Sequence, residues 1–204
     1  MERINTYRNR VIVRIEMTDH IIKQNTRILM PSEYEKLRAV MNPKYRVLCD
    51  AMLMSGLRPV EFERMEKSWY RAPRRCIELP KGACLKEKCE YTERTVMLSL
   101  YGCDVIQTYL DSNFKKAGRV SMRDTLRRYA ILAGIGEDGI TSKMFRKTLV
   151  SWLVACFEEK YLSIAASMGH DVDTIQKHYL GIAFPMAEIE MMKNKYLKEW
   201  GLRL

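Results

Sequence analysis

The sequence has no apolar run close to the ~20 residues that a transmembrane helix needs. Its first residues, MERINTYRNR, also lack the apolar stretch of a secretory signal peptide. Together these absences predict a protein with no membrane partner that acts in solution inside a cell. Its compartment would be the cytoplasm or, for a viral protein, the interior of the host cell.

The cysteines lack the repeating frame of a disulfide-rich fold, although the chain has six of them. In an intracellular chain of 204 residues they are most simply reduced thiols. Cys84 and Cys89, with Cys76 nearby, could suggest a zinc site, but the C-x4-C spacing is loose and no histidine completes it. We therefore predict no metal and no cofactor, and a local disulfide in a thermophile remains an alternative.

Acidic residues are scarce relative to basic ones, 25 against 35, which gives a formal charge of +10. This balance favours an anionic partner, but alone it does not choose between nucleic acid, an acidic membrane and simple solubility. The hydrophobic content of 47% indicates a globular chain that can build one sizeable core.

Apolar spacing predicts a mostly α fold with a small antiparallel β hairpin, an α+β class. The first helix begins near Pro31, where Ser32 and Glu35 have capping-box spacing. Its buried stripe would be Tyr34, Leu37, Val40 and Met41. Further helices are predicted over 44–54, 103–116, 121–133, 141–157, 161–168, 171–180 and 185–200.

The predicted hairpin pairs Cys76–Leu79 with a return strand over 93–98. Lys81, Lys86 and Lys88 lie between the two strands. Such a run of charge is usually solvated, and its alternative use is to place one ammonium against a phosphate.

The sequence also predicts how some helices are capped and which of their side chains face the core. Thr141 and Ser142 can cap the helix that follows them. Leu132 and Met186 are expected to face inward on theirs. Three arginines of the 121–133 helix would face outward, either against a phosphate backbone or simply into solvent: Arg123, Arg127 and Arg128.

The segment from Ile140 to Leu180 concentrates groups that could act on a phosphodiester. Lys143 and Arg146 lie one turn apart at a helix start, where two cations indicate an anion site. His170 follows a glycine, and Tyr179 comes nine positions later. A phenol can attack phosphorus while cations hold the charged oxygens, and those cations are expected to favour phenolate. The phosphotyrosyl ester would keep the bond energy, so resealing would need neither ATP nor metal.

Arg58 follows Ser55-Gly56-Leu57 and precedes Pro59, so it would lie at a junction between helices. There its side chain can project into a cleft. The alternative is a surface arginine paired with Glu61.

These motifs, in this order, resemble those of the tyrosine recombinases and phage-type integrases. Residues 55–61 (SGLRPVE) are similar to the first arginine motif, and 80–82 (PKG) with 93–98 (ERTVML) to the β-hairpin lysine motif. Residues 141–148 (TSKMFRKT) resemble the second arginine motif, and Met168-Gly169-His170 with Tyr179 the nucleophile motif. The resemblance covers roughly residues 28–182 and implies a tyrosine-recombinase catalytic-domain fold.

The resemblance also implies roles for individual residues. Arg58 and Arg146 would clamp the scissile phosphate, Glu61 would orient Arg58, and Lys81 would be the general acid. Lys143 and His170 would support the phosphate and proton transfer, and Tyr179 would leave a 3′-phosphotyrosyl link. Double-stranded DNA would be the partner of a dimer or tetramer, in a virus or mobile element. Candidate DNA contacts are Lys86, Lys88, Arg123, Arg127, Arg128 and Lys147.

Two departures from the family pattern leave alternatives open. Lys143 stands where histidine is usual, so a fixed charge is expected there, which archaeal-virus-like integrases tolerate. The hairpin loop is long, so Lys86 or Lys88 could replace Lys81.

The site residues and the function also have alternative interpretations. His170 could be a capped structural histidine, and Tyr179 could be a core residue. A non-catalytic DNA-bridging protein and a nicking-closing topoisomerase are the competing functions.

The expected organisation is an N-terminal arm or linker over 1–29, including a short strand near Val11–Ile15. A catalytic domain over 30–182 and a tail helix over 183–204 would follow. The family habit of exchanging C-terminal segments implies that this tail could dock on a neighbouring subunit. An arm of 29 residues cannot supply the DNA-gripping domain usual in the family, which implies a catalytic fragment or a minimal enzyme that relies on a partner.

Overall fold

The computed structural model describes residues 20–83, 93–112, 114 and 119–201. The predicted strand near Val11, the hairpin lysines Lys86 and Lys88, and the cysteines Cys84 and Cys89 lie outside them. The helices are α1 (Pro31–Val40), α2 (Pro43–Ser55), α3 (Pro59–Arg64), α4 (Leu100–Asp111), α5 (Arg119–Leu132), α6 (Met144–Cys156), α7 (Tyr161–Met168), α8 (Val172–His178) and α9 (Met186–Met191). The predicted α+β class, mostly helical, is confirmed.

Five short strands form two antiparallel sheets within the described residues. They are β1 (Ile21–Lys23), β2 (Thr26–Ile28), β3 (Tyr70–Arg71), β4 (Cys76–Leu79) and β5 (Arg94–Met97). The predicted pairing of β4 with β5 is confirmed, with Ile77 opposite Val96. Strand β3 was not predicted and extends this sheet to the order β3-β4-β5.

Helix α2 lies at the centre of the molecule, and every residue from Leu48 to Ser55 is buried. It packs against α4 and α6. Trp152 of α6 is fully buried and donates its indole N–H to the Leu29 carbonyl at 2.8 Å. Helices α2 and α6 therefore pack on one core. Arg58 follows the end of α2, and Arg146 lies in α6.

The helix starts differ from the predicted caps. At α1 the Met30 N–H donates to Glu33 Oε2 at 3.0 Å, while Ser32 N–H binds Glu188 Oε2 at 3.0 Å. Ser32 is thus used in a tertiary contact instead of a capping box with Glu35. At α6 no side chain caps the helix, and Lys143 occupies the N-cap position, so the proposed Thr141 and Ser142 caps are wrong.

Three residues predicted to be buried are exposed: Val40 at 38%, Leu132 at 69% and Met186 at 70%. Each lies in the first or last turn of its helix, where the neighbouring elements no longer cover the apolar face. Periodicity assigns a face to a side chain but does not say how far along the helix its packing partner extends.

Both ends of the described chain pack on the same core. Residues Ile28 and Leu29, predicted to lie in an N-terminal arm, are buried against α6. A π-helical turn (Met192–Tyr196) continues α9, and Trp200 Nε1 donates to the Met97 carbonyl at 3.0 Å. Exchange of the tail between subunits stays a prediction. In the part of the chain described, no helix is long and apolar enough to cross a membrane.

Candidate active site

Arg58 is placed by a sharp change of direction between α2 and α3. Gly56 ends α2 in the left-handed conformation at φ 57°, and Pro59 begins α3, so Arg58 becomes its N-cap residue. The Arg58 guanidinium donates from Nη1 to Glu61 Oε1 and from Nη2 to the Gly169 carbonyl, both at 2.8 Å. Arg58 therefore lies at a junction between two helices, as predicted. It is also paired with Glu61, as the alternative interpretation proposed.

Arg146 lies in the first turn of α6 and is buried, with 8% of its surface exposed. Its Nη1 donates to the Gly56 carbonyl at 2.8 Å, and its Nη2 donates to the Met168 carbonyl. Arg146 thus connects the end of α2 with the end of α7. Those carbonyls are the unpaired acceptors that a helix C-terminus leaves, and they attract cations.

The two guanidinium groups meet at consecutive carbonyls, Met168 for Arg146 and Gly169 for Arg58. Residues from α3 and α6 therefore converge on the last turn of α7. The next residue is His170, whose backbone N–H donates to the Ala165 carbonyl at 3.0 Å in the left-handed cap that Gly169 forms at φ 60°. The sequence order Met168-Gly169-His170 is what brings the imidazole to the arginines.

Tyr179 follows the last residue of α8 and faces the same cluster. Its ring centroid lies 5.7 Å from that of His170, and only 6% of the residue is exposed. Arg146 is close enough to act electrostatically on the Tyr179 phenol. The structure thus brings Arg58, Arg146, His170 and Tyr179 together.

Burial sets the protonation of this cluster. Burial, reinforced by Arg146, Arg58 and Arg94, lowers the pKa of His170 to about 3, so the imidazole is neutral near pH 7. Burial and the other arginines lower the pKa of Arg146 to about 9, which leaves its guanidinium charged at that pH. Burial raises the pKa of Tyr179, and Arg146 only partly opposes this. Arg146 thus has the expected effect of favouring phenolate, but in the free protein burial outweighs it.

Arg94 is the member of the cluster that sequence reasoning missed. Its Nη1 and Nη2 donate to Glu61 Oε1 and Oε2 at 2.9 and 2.6 Å, and 8% of its side chain is exposed. A usable signal was the alternation of β5, because Arg94 shares a strand face with Val96, which is buried. An arginine on a buried strand face needs an anionic partner.

Among the described residues, several other predicted site residues lie outside this cluster, namely Lys81, Lys143, Lys147 and three arginines of α5. Lys81 follows β4 in an exposed turn, and Lys143 is exposed at the start of α6. Lys147 donates to the Lys23 carbonyl at 3.0 Å and to Gln24 Oε1 at 3.2 Å. Three arginines of α5 are exposed, as predicted: Arg123, Arg127 and Arg128.

Two buried polar atoms of the cluster have no hydrogen-bond partner among the described residues, His170 Nδ1 and Arg94 Nε. Buried polar groups are nearly always paired, so such atoms indicate a place for a water molecule or a ligand.

In the ranges that the structure covers, no three His, Cys, Asp or Glu side chains are grouped as metal ligands would be. Free thiols occur there at Cys49, Cys76, Cys103 and Cys156.

A separate open cavity of about 540 Å³ lies beside the end of α8. Its lining includes the carboxylates of Glu158 and Glu159 and contains none of the candidate catalytic residues. Because paired carboxylates repel phosphate, this cavity does not fit a nucleic-acid backbone.

Solved structures similar in fold to this chain include a transposon integrase and two recombinases. The Tn1549 transposon integrase in complex with circular intermediate DNA matches with a TM-score of 0.61 and 15% identity over 80% of this chain. XerA recombinase matches with a TM-score of 0.60 and 16% identity over 84% of it. XerH site-specific recombinase bound to difH substrate in a post-cleavage complex gives a TM-score of 0.54 and 17% identity over 74%. The chain has the tyrosine-recombinase catalytic-domain fold, as predicted.

This chain spans 65% of the Tn1549 integrase chain, 64% of XerA and 48% of XerH. At the level of sequence, no protein-family model and no curated protein matches it. The likeness therefore defines the fold, and activity depends on the chemistry of the side chains described above.

Proposed function

We propose that this protein is a site-specific DNA recombinase or integrase that cuts and rejoins strands through a 3′-phosphotyrosyl intermediate. The observation that carries the proposal is the convergence of two arginines, an imidazole and a phenol in one cluster at the end of α7. The neighbouring structures in complex with DNA support the same class of substrate. The protein would act in the cytoplasm or in a host cell, as part of a virus or mobile element.

Arg58 and Arg146 would bind the non-bridging oxygens of the scissile phosphate. In the free protein both guanidinium groups donate to backbone carbonyls, which hold them in place before a substrate arrives. A phosphate carries a full negative charge whereas a carbonyl is only a dipole, so phosphate can compete with those carbonyls for the guanidinium groups. Arg94 Nε, which has no hydrogen-bond partner among the described residues, would be a further donor to that phosphate.

In the cleavage step the Tyr179 phenol oxygen would form a bond to phosphorus as the bond to the 5′ oxygen breaks. His170, neutral at pH 7, would accept the phenol proton, and Lys81 would give a proton to the departing oxygen. A bound phosphate would also raise the pKa of His170, since its negative charge favours the imidazolium form. Rejoining is the same step in reverse. Lys143 would add a fixed positive charge at the edge of the site.

DNA would also contact the basic residues around the cluster. The proposed backbone contacts are Arg123, Arg127 and Arg128 of α5, with Lys86 and Lys88, which come between β4 and β5 in the sequence. Activity would need two or four copies on the duplex, because recombination exchanges strands between two sites.

The test is a nicked duplex from which the cleaved end dissociates, so that a covalent protein–DNA adduct accumulates. We expect an adduct with the unchanged protein and none with Tyr179→Phe. Tyr161→Phe, in α7, is the matched control and should keep the adduct. An adduct that survives Tyr179→Phe would refute the assignment of the nucleophile. Salt-sensitive binding without any adduct would instead identify a DNA-bridging protein.

A further inference from the structure

The turn of the β1–β2 hairpin contacts the residue that precedes Tyr179. Lys23 Nζ donates to the His178 carbonyl at 3.2 Å. Gln24 Nε2 lies 3.3 Å from Nδ1 and 3.4 Å from Nε2 of the His178 ring. Because His178 is the last residue of α8, these contacts hold the end of the helix that Tyr179 directly follows.

The hairpin turn is itself fixed to α6, the helix of Arg146. Lys147, the residue after Arg146, donates to the Lys23 carbonyl and to Gln24 Oε1 at 3.0 and 3.2 Å. Just beyond the hairpin, the Leu29 N–H donates to Thr148 Oγ1 at 3.0 Å. Helix α6 therefore places Arg146 in the site and also anchors the turn that reaches α8.

Helix α8 needs such support for physical reasons. It has seven residues, and helices of this length are unstable without tertiary contacts. Its last carbonyls have no partner inside the helix, and an ammonium at this end also complements the helix dipole. Lys23 supplies both an N–H donor and a positive charge to the carbonyl next to Tyr179.

We propose that Lys23, Gln24 and Lys147 form a clasp that positions Tyr179 beside Arg146 and His170. The catalytic part of this inference rests on the proposed function of Tyr179 as nucleophile. The clasp residues are positioning residues, since they act on Tyr179 through His178. The N-terminal hairpin is then part of the active site's architecture, and it keeps the nucleophile docked in its own chain.

The test uses the double variant Lys23→Met and Gln24→Asn in the full chain. Gln24 has a positive φ of 49°, which asparagine tolerates well, so the turn is kept while its side chain becomes too short to reach His178. The control is Lys36→Met, an exposed lysine of α1 that gives the same change in charge as Lys23→Met. Both proteins are compared by hydrogen exchange without DNA and by adduct formation at saturating DNA.

In the double variant we expect amide exchange at Tyr179 and Leu180, which donate to the Ile175 carbonyl, to become about tenfold faster. The rate of adduct formation should fall about tenfold, equivalent to about 1.4 kcal/mol, while DNA affinity stays equal to that of Lys36→Met. The single variant Gln24→Asn should show a smaller change in the same direction. It serves as the test if the double variant does not fold.

Unchanged exchange at Tyr179 and Leu180 would overturn the clasp whether or not the protein cleaves DNA. Faster exchange with an unchanged rate of adduct formation would overturn its positioning role. If the unchanged protein forms no adduct, the proposed function fails, and the positioning role fails with it. The exchange measurement then still decides whether the hairpin restrains α8.

Discussion

Glu61 is shared by Arg58 and Arg94, and it is fully buried. Burial alone would raise the pKa of its carboxyl group, but the hydrogen bonds and charge of Arg94, with those of Arg58, lower this pKa to about 2. Below its usual value of 4.5 the unfolded chain takes up a proton that the folded chain does not. The stability that Glu61 contributes is therefore complete above about pH 4.5 and is lost as pH falls towards 2.

Replacing Arg94 by methionine should destabilise the fold by about 3 kcal/mol at pH 7, because it leaves a buried carboxylate with one partner fewer. The pKa of Glu61 would rise, so protonation relieves part of the cost on acidification. The difference in unfolding free energy from the unchanged protein should thus shrink between pH 7 and pH 4, measured by urea denaturation. If the difference in unfolding free energy stays constant with pH, Glu61 and Arg94 do not form an ionised pair. Arg94→Met/Glu61→Gln is the control in which the pH dependence should disappear.

His170 gives a second prediction at the residue scale. Its folded pKa of about 3 lies below the ordinary value of 6.5, so the unfolded chain binds a proton more readily. This contribution to stability is complete above about pH 6.5 and is lost as pH falls towards 3. We expect the His170 ring signals in an NMR titration to stay constant from pH 8 to pH 5, whereas a solvated histidine titrates in this range. A midpoint near 6.5 would show that the ring is solvated and the site open.

At the scale of an element, the end of α2 determines where both arginines lie. Gly56 has a φ of 57°, and a Cβ added there would meet Leu149 Cδ2 at 2.7 Å and Met168 Sδ at 2.9 Å. Gly56→Ala should therefore cost about 1–2 kcal/mol for the left-handed backbone and about 1–3 kcal/mol more for overpacking. It should also displace the carbonyl that binds Arg146 and so slow adduct formation.

Gly136→Ala is the matched control. Gly136 has a φ of 76°, but a Cβ added there would meet nothing within 4 Å. The variant should show only the backbone cost of about 1–2 kcal/mol, with normal adduct formation. Thermal unfolding measures the stability difference between the two variants. Equal losses of stability would mean that the contact of Gly56 with Leu149 and Met168 adds nothing.

Local signals were enough to predict the elements that carry the arginines. Gly56 ends α2 and Pro59 begins α3, so the position of Arg58 followed from two residues with strong backbone preferences. The pairing of β4 with β5 followed from apolar alternation. The start of α1 at Pro31 was predicted as well, but its capping contacts were not, because Ser32 binds Glu188, a partner far away in sequence.

The same limit applies to the candidate site. Motif order predicted that Arg58, Arg146, His170 and Tyr179 belong together, and the fold places them together. Arg94 was missed because its partner Glu61 lies 33 positions away, and only the tertiary packing of α3 near β5 brings the two into contact. The raised pKa of Tyr179 was not predicted, because it is caused by burial. Burial depends on the packing of the whole domain, which no single motif contains.

At the scale of the whole molecule, Tyr179 lies within the electrostatic reach of Arg146 of its own chain. We therefore expect each copy to cut with its own tyrosine, whatever the number of copies on the DNA. A mixture of Arg146→Lys, which keeps the charge but loses the forked geometry, with Tyr179→Phe should form less than about one hundredth of the normal adduct. Each variant mixed with unchanged protein should form adduct in proportion to the unchanged copies. If the two inactive variants restore each other, the tyrosine must come from a neighbouring subunit, as exchange of the C-terminal tail would allow.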